Sequence, residues 1–308
     1  MEADERYRAL ADLVGAENVL RDEPMARHTT FQIGGPVELF VRPQSPEQVA
    51  DVVRYCHEQG VRLRAIGRGS DLLVADRGLR GVVMQIADNL AHIRILPDAV
   101  VYAEAGATNE EVSTAALGAG LSGYEFACGI PGTVGGAAIM NAGAYDGEFA
   151  QVATSLRCVT PEGELVDVSA AQADWSYRHS MMDERGYLVV AATLQLAPDD
   201  PEEIRARIDD LTRRRAEKQP LEMPSAGSTF KRPTGHFAGK LIQDAGLQGL
   251  RVGGAEVSRK HAGFLVNADH ATAADVRGLI RTVQERVLAD SGVELHPEVR
   301  MWGFDDGE

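Results

Sequence analysis

Two glycine-rich stretches of this 308-residue chain have the residue types to hold a ligand against bare backbone. The first, Gly67-Arg68-Gly69-Ser70-Asp71, leaves a predicted strand that ends at Ile66 and offers a nest of backbone N–H groups for phosphate. A plain connecting turn is the competing reading of the same residues. The loop is not a dinucleotide fingerprint, because no third glycine has the right spacing and Leu72-Leu73-Val74 continues as apolar chain rather than helix. It is not a P-loop either, having no Gly-Lys-Ser/Thr. The second stretch, residues 129–145, includes Pro131-Gly132-Thr133-Val134-Gly135-Gly136 and Asn141-Ala142-Gly143; it is apolar, uncharged and poor in bulky side chains. Such a segment makes neither a good continuous helix nor a good core. Its use lies in letting something flat or extended rest on the backbone, with a tightly packed buried turn as the alternative. Glycine is enriched overall, at 32 of 308 residues, or about 10% against a usual value of roughly 7%.

Several other chemistries are excluded. Cys56, Cys128 and Cys158 are isolated, no Cys-x-x-Cys or His-Glu-x-x-His occurs, and no metal site is expected. Ser228 lacks the Gly-x-Ser-x-Gly elbow of a serine hydrolase. The 31 Lys and Arg against 46 Asp and Glu leave a net charge of −15, which argues against general binding to nucleic acid or to an anionic membrane. No apolar run reaches membrane-spanning length, and the acidic first residues lack the order of a signal peptide, so a cytoplasmic protein is expected. The local basic runs Arg213-Arg214-Arg215 and Arg259-Lys260 read as solvated faces or as places where anions are admitted.

The elements that must position these stretches follow from pattern and punctuation. Residues 38–42 predict a strand; Ser45-Pro46-Glu47-Gln48 then predicts a capped helix start with a capping box and a face of Val49, Val52, Val53 and Cys56. A second strand at 61–66 implies parallel pairing through a crossover. Thr108 and Glu111 predict a capping box for a short helix ending near Gly118. A hairpin is expected at 156–168 around Pro161-Glu162-Gly163, and a central strand at 187–196. Pro198-Asp199-Asp200-Pro201 opens a polar helix to about Lys218. Further on, a short helix is expected near 239–245 and a strand at 262–268. Thr272 with Asp275 starts a long helix burying Val276, Leu279, Ile280, Val283, Val287 and Leu288. A final alternating strand is expected at 293–302.

Phe31-Gln32-Ile33-Gly34-Gly35-Pro36, the loop 67–74 and the stretch 129–148 resemble a flavin-binding domain of the vanillyl-alcohol-oxidase type. With Ser176-Tyr177-Arg178, residues 224–231 (Pro-Ser-Ala-Gly-Ser-Thr-Phe-Lys) and Pro297-Glu298-Val299, the resemblance narrows to the UDP-N-acetylenolpyruvoylglucosamine reductase family of peptidoglycan synthesis, in its shorter form. It runs from about Met25 to Gly303. It implies an α+β chain: a two-part FAD-binding region (1–85 and 86–200) and a C-terminal α+β substrate domain (201–308). It also implies non-covalent FAD, NADPH as hydride donor, a UDP-sugar substrate, and a monomer without nucleic-acid or membrane partner.

By family position, Arg178 and Glu298 form the polarising pair and Ser228 supplies the proton. Reduction of an enol ether conjugated with a carboxylate develops charge there, so a fixed cation and a nearby proton donor make chemical sense. The resemblance assigns Gly67, Arg68, Gly69, Ser70 and Asp71, then Pro131, Gly132, Thr133, Gly135, Gly136, Asn141 and Gly143, to the cofactor. It assigns Tyr177, Lys218, Lys231 and Arg232 to the substrate. Three positions depart from the family pattern: Asp71 stands where Asn is usual, Asp146 where Gly is usual, and Arg232 where many members carry Asn. An oxidase of the same superfamily would often tether its flavin through His or Cys, and neither lies within 67–74 or 130–148. A non-enzymatic FAD carrier would not need Arg178, Ser228 and Glu298 together.

Overall fold

A computed structural model describes residues 3–304 of the chain. The chain divides into two units, one of Met1–Arg21, Leu39–Arg68 and Gly81–Arg214, the other of Asp22–Glu38, Gly69–Arg80 and Arg215–Glu308.

The first unit holds helices α1 (Ala3–Val14), α2 (Pro46–Glu58), α3 (Asn109–Gly118), α4 (Val134–Met140), α5 (Met181–Arg185) and most of α6 (Pro201–Lys218). Ser45 caps α2 by accepting from the Gln48 N–H at 3.2 Å, but the Gln48 side chain accepts from Gln44 N–H, one residue before the position a capping box would use. Val49, Val52, Val53 and Cys56 are buried as expected. The Thr108–Glu111 capping box of α3 is complete.

The crossover differs from the sequence expectation. Strand Leu63–Ile66 does not lie beside Pro36–Val41; Leu79–Gln85 is inserted between them and pairs parallel with 63–66. Strand order is set by long-range packing that the local pattern around α2 does not encode. The second sheet is antiparallel, in the order 165–169, 153–159, 188–195, 100–104, 93–96. Its middle strand Leu188–Gln195 is the uncharged run read as central.

α6 is held chiefly by polar contacts, with Ile204 its buried residue. Arg207 donates to Glu125 and Asp199, and Ser122 also donates to Glu125. Burial pushes the Glu125 carboxyl up, but N–H groups of the 123–125 backbone, Arg207 and Ser122 outweigh it and hold the carboxyl below its usual range.

The second unit holds α7 (Ala238–Asp244) and α8 (Ala273–Ser291) against an antiparallel sheet in the order 225–228, 264–267, 255–257, 251–252. Its core takes Phe31, Ile33 and Leu73 from the early segments together with Val276, Leu279, Ile280 and Val283 of α8. Leu288 is 49% exposed, so the buried face of α8 ends at Val287. The final strand is shorter than expected, only Arg300–Trp302, pairing parallel with Leu72–Val74. Pro297 has no N–H to sustain a ladder, although Leu295 and Val299 keep the buried side of the alternation.

Asp76 ties the segment 69–80 to α8. Its carboxylate accepts from the N–H groups of Ala273 at 2.8 Å and Ala274 at 3.0 Å, supplementing the Thr272–Asp275 capping box. A charged acceptor at a helix start is favoured by both the orphan donors and the dipole. Replacing Asp76 by Ala is expected to lower stability by about 1–2 kcal/mol, read as a lower urea midpoint at unchanged slope.

Candidate functional site

In the first unit the structure brings the end of strand 63–66 against the second glycine stretch. A Cβ at position 67 would fall on the Thr133 side chain, so only glycine admits this approach. Thr133 in turn caps α4, accepting from the Gly136 N–H at 3.5 Å. Gly135 is packed over Ala105, where a Cβ would come within 2.9 Å of the alanine methyl. Gly136 is different. It is exposed, and a Cβ there would meet nothing nearer than the Thr133 hydroxyl at 3.9 Å. Neither backbone nor packing asks for glycine at 136, and helical glycine is costly relative to alanine.

α4 ends at Asn141, in the left-handed conformation with φ 41°. Its carboxamide is engaged at both ends, donating to Ser176 O at 3.4 Å and accepting from the Ala150 N–H at 2.9 Å. Two last-turn carbonyls of α4 are met by side chains from one short segment. Trp175 Nε1 donates to Ala138 O at 2.7 Å, and Ser180 Oγ donates to Ile139 O at 2.7 Å. Between these anchors, Ser176 and His179 exchange two backbone hydrogen bonds of 3.2 Å and force Arg178 to φ 55°. A left-handed arginine is strained, and such strain persists only where the surroundings over-determine it. Tyr177 is 56% exposed, with the Arg178 guanidinium 5.1 Å from its ring centre.

The second unit carries the remaining candidates. Gly69 has φ 60° and its carbonyl accepts from the Thr30 N–H at 3.2 Å; the Asp71 carbonyl accepts from the Arg300 N–H at 3.0 Å. The register slips between Ser225 and Ser228, where Gly227 has φ 72°, and this irregularity re-aims Ser228, which is exposed. Residues 228–231 run between two neighbours. On one side, Thr229 N–H donates to Gly263 O at 2.9 Å. On the other, Glu298 N–H donates to Thr229 O at 2.8 Å and Lys231 N–H to His296 O at 2.9 Å, with Phe230 opposite Pro297. Ser228 and Glu298 therefore sit on adjacent paired segments. Thr229 and Phe230 are buried, while Lys231 and Arg232 are exposed and Glu298 is half-buried. Arg232 lies 4.0 Å over the exposed Phe237 ring, and Lys218 is exposed at the end of α6.

Sequence reasoning found the glycine stretches and the charged candidates. It did not find the Trp175 and Ser180 anchors or the stacking of Arg232 on Phe237. Phe237 among polar residues was the one visible signal for the latter. Among the described residues, no cluster of His, Cys, Asp or Glu could hold a metal, and no helix is long and apolar enough to cross a membrane.

Residues 37–169 match the family described as FAD binding domain, and residues 219–302 match UDP-N-acetylenolpyruvoylglucosamine reductase, C-terminal domain. A UDP-N-acetylenolpyruvoylglucosamine reductase of Syntrophomonas wolfei is 46% identical over 297 residues, spanning 96% of this chain and 99% of its own. The crystal structure of the Thermus caldophilus UDP-N-acetylenolpyruvylglucosamine reductase is similar with a TM-score of 0.81 and 33% identity, covering 92% of this chain and 99% of that one. An alkyldihydroxyacetonephosphate synthase, 19% identical with a TM-score of 0.51 over 64% of this chain and 41% of its own, is similar in fold.

The hairpin closing the glycine stretch places both Tyr145 (φ 52°) and Asp146 (φ 66°) in left-handed conformation between the pairs Gly147–Ala144 and Glu148–Gly143. Such a two-residue turn favours glycine at its second position. Asp146→Gly is expected to raise stability by about 0.5–1 kcal/mol, read as a higher urea midpoint.

Proposed function

The chain belongs to the UDP-N-acetylenolpyruvoylglucosamine reductase family, and from that premise we propose that it reduces the enolpyruvyl ether of UDP-N-acetylglucosamine-enolpyruvate to UDP-N-acetylmuramate. This is an oxidoreductase step of peptidoglycan precursor synthesis, carried out with non-covalent FAD and with NADPH as hydride donor. It is read as the work of a cytoplasmic monomer. The observation that carries the reading is the strained Arg178, held at φ 55° beside the glycine-rich α4.

The residues present fit FAD. Gly136 leaves its backbone open where nothing in the protein requires glycine, and no His or Cys is placed in either stretch to form a tether. In this reading Gly67, Arg68, Gly69, Ser70 and Asp71 form the phosphate loop. Pro131, Gly132, Thr133, Gly136 and Gly143 line the flavin, while Gly135 and Asn141, engaged as described, hold that lining in shape. Held there, FAD would supply the hydride transfer that links the nicotinamide donor to the enolpyruvyl group.

The chain's own residues handle charge and protons. The Arg178 guanidinium neutralises the substrate carboxylate, onto which negative charge spreads as the double bond is reduced. Glu298 completes the polarising pair. Ser228 Oγ–H gives a proton to the carbon beside that carboxylate, and its exposure lets it regain a proton from water. Lys218, Lys231 and Arg232 answer the two phosphates of the nucleotide, and Tyr177 contacts the same ligand.

Two substitutions test the cofactor and the proton. Gly136→Ala should stabilise the flavin-free protein by about 0.5–1 kcal/mol while weakening FAD binding, read by thermal melting and by flavin fluorescence. Ser228→Ala should leave flavin bleaching by NADPH within about tenfold under anaerobic mixing, but slow recolouring by the enolpyruvyl substrate roughly 10²–10⁴-fold. Equal slowing of both phases, or of neither, returns Ser228 to a structural loop residue.

A further inference from the structure

Asn109, the first residue of α3, is 1% exposed, and both of its N–H donor groups are directed at one loop. Its Oδ1 accepts from the Tyr124 phenol at 2.8 Å, and its Nδ2 donates to Ile130 O at 3.3 Å. Its backbone N–H donates to Gly132 O at 3.4 Å. Next to these, Val134 N–H donates to Ala107 O at 2.8 Å, which closes a bridge between Thr108 and Thr133. Tyr124 is itself buried, and burial pushes its phenol up, so it serves as a neutral donor.

These bonds turn the carbonyls of residues 130 and 132 into the protein. The N–H groups of Gly132 and Thr133 are left over. Among the described residues neither meets a protein acceptor, although Thr133 is only 3% exposed. A buried backbone N–H without an acceptor is rare in a finished structure. Here the Thr133 N–H is buried and that of half-buried Gly132 lies next to it. In a loop whose 130 and 132 carbonyls are pinned from behind, they are a pair of donors kept for an acceptor atom that these segments do not supply.

We propose that Asn109, fixed by Tyr124, is a positioning residue for the flavin: it sets the 130–133 loop so that the Gly132 and Thr133 N–H groups meet an acceptor atom of bound FAD. This rests on the FAD reading above. Asn109 does not touch the cofactor; it acts through the loop, and Tyr124 acts through Asn109. The device lies outside both glycine stretches, on a helix start and on a residue that is otherwise plain core. A preorganised donor pair binds more tightly because no loop has to be ordered on binding.

The test compares wild type with Asn109→Leu, Tyr124→Phe and the double variant. FAD affinity is titrated by flavin fluorescence at a temperature where every flavin-free protein is folded, and the visible circular dichroism of the bound flavin is recorded. Asn109→Leu should weaken FAD about tenfold and alter the flavin band. Tyr124→Phe, which keeps the ring and removes the hydroxyl, should show a smaller change in the same direction. The double variant should be no worse than Asn109→Leu, because Tyr124 works only through Asn109. If melting temperatures fall while affinity and the flavin band stay at wild-type values, Asn109 is a structural residue and the proposal is overturned. Should Asn109→Leu fail to fold, Tyr124→Phe alone decides, an unchanged affinity and band overturning the proposal. If the wild-type protein binds no FAD, the cofactor reading has failed and takes this proposal with it.

Discussion

The close approach of residue 67 to Thr133 is the contact on which the arrangement of the first unit's site depends. A strand end and a capping threonine occupy adjoining space because position 67 has no side chain. Thr133 in turn starts α4, and α4 fixes where the left-handed Asn141 and the following hairpin begin. A single methyl group at 67 would therefore reach well past its own neighbourhood.

The other end of α4 is held by a different physics. Helix C-termini leave carbonyls without partners, and here two of them are met by the Trp175 indole and the Ser180 hydroxyl. The segment that satisfies the helix is the same one that carries Arg178. The requirement to pair buried carbonyls and the requirement to place a guanidinium are thus met by one turn. The strain at Arg178 is tolerated because its flanks are fixed on both sides. In the second unit, Ser228 and Glu298 owe their adjacency to ordinary backbone pairing between residues 229–231 and 296–298.

Much of this was legible in the sequence, and the rest was not for definable reasons. Caps at Ser45, Thr108 and Thr272 depend on residues within one turn, and so they can be read directly. The insertion of strand 79–85 between 36–41 and 63–66 depends on contacts between distant residues, which local patterning cannot rank. Leu288 continues the apolar run of α8 but is 49% exposed, beside a fully buried Val287, a difference that depends on which distant segments pack on the helix. The glycine stretches announced themselves by composition. Which glycines are packed, like Gly67 and Gly135, and which stand open, like Gly136, depends on neighbours from other segments. The left-handed Arg178 carries no sequence signature, since arginine has no preference for that conformation.

The second unit is assembled from three separate pieces of chain, and its core needs Phe31, Ile33 and Leu73 as much as it needs α8. On a ribosome those early residues emerge long before their partners. At about 5–20 residues per second, Leu73 waits roughly 10–40 s for the end of α8 to be made. During that interval a set of apolar side chains must stay soluble without the surface they will eventually cover. The C-terminal segment alone would face the mirror-image difficulty, with a core lacking part of its filling. The order in which the chain is synthesised, rather than any single contact, makes its later third indispensable to its first.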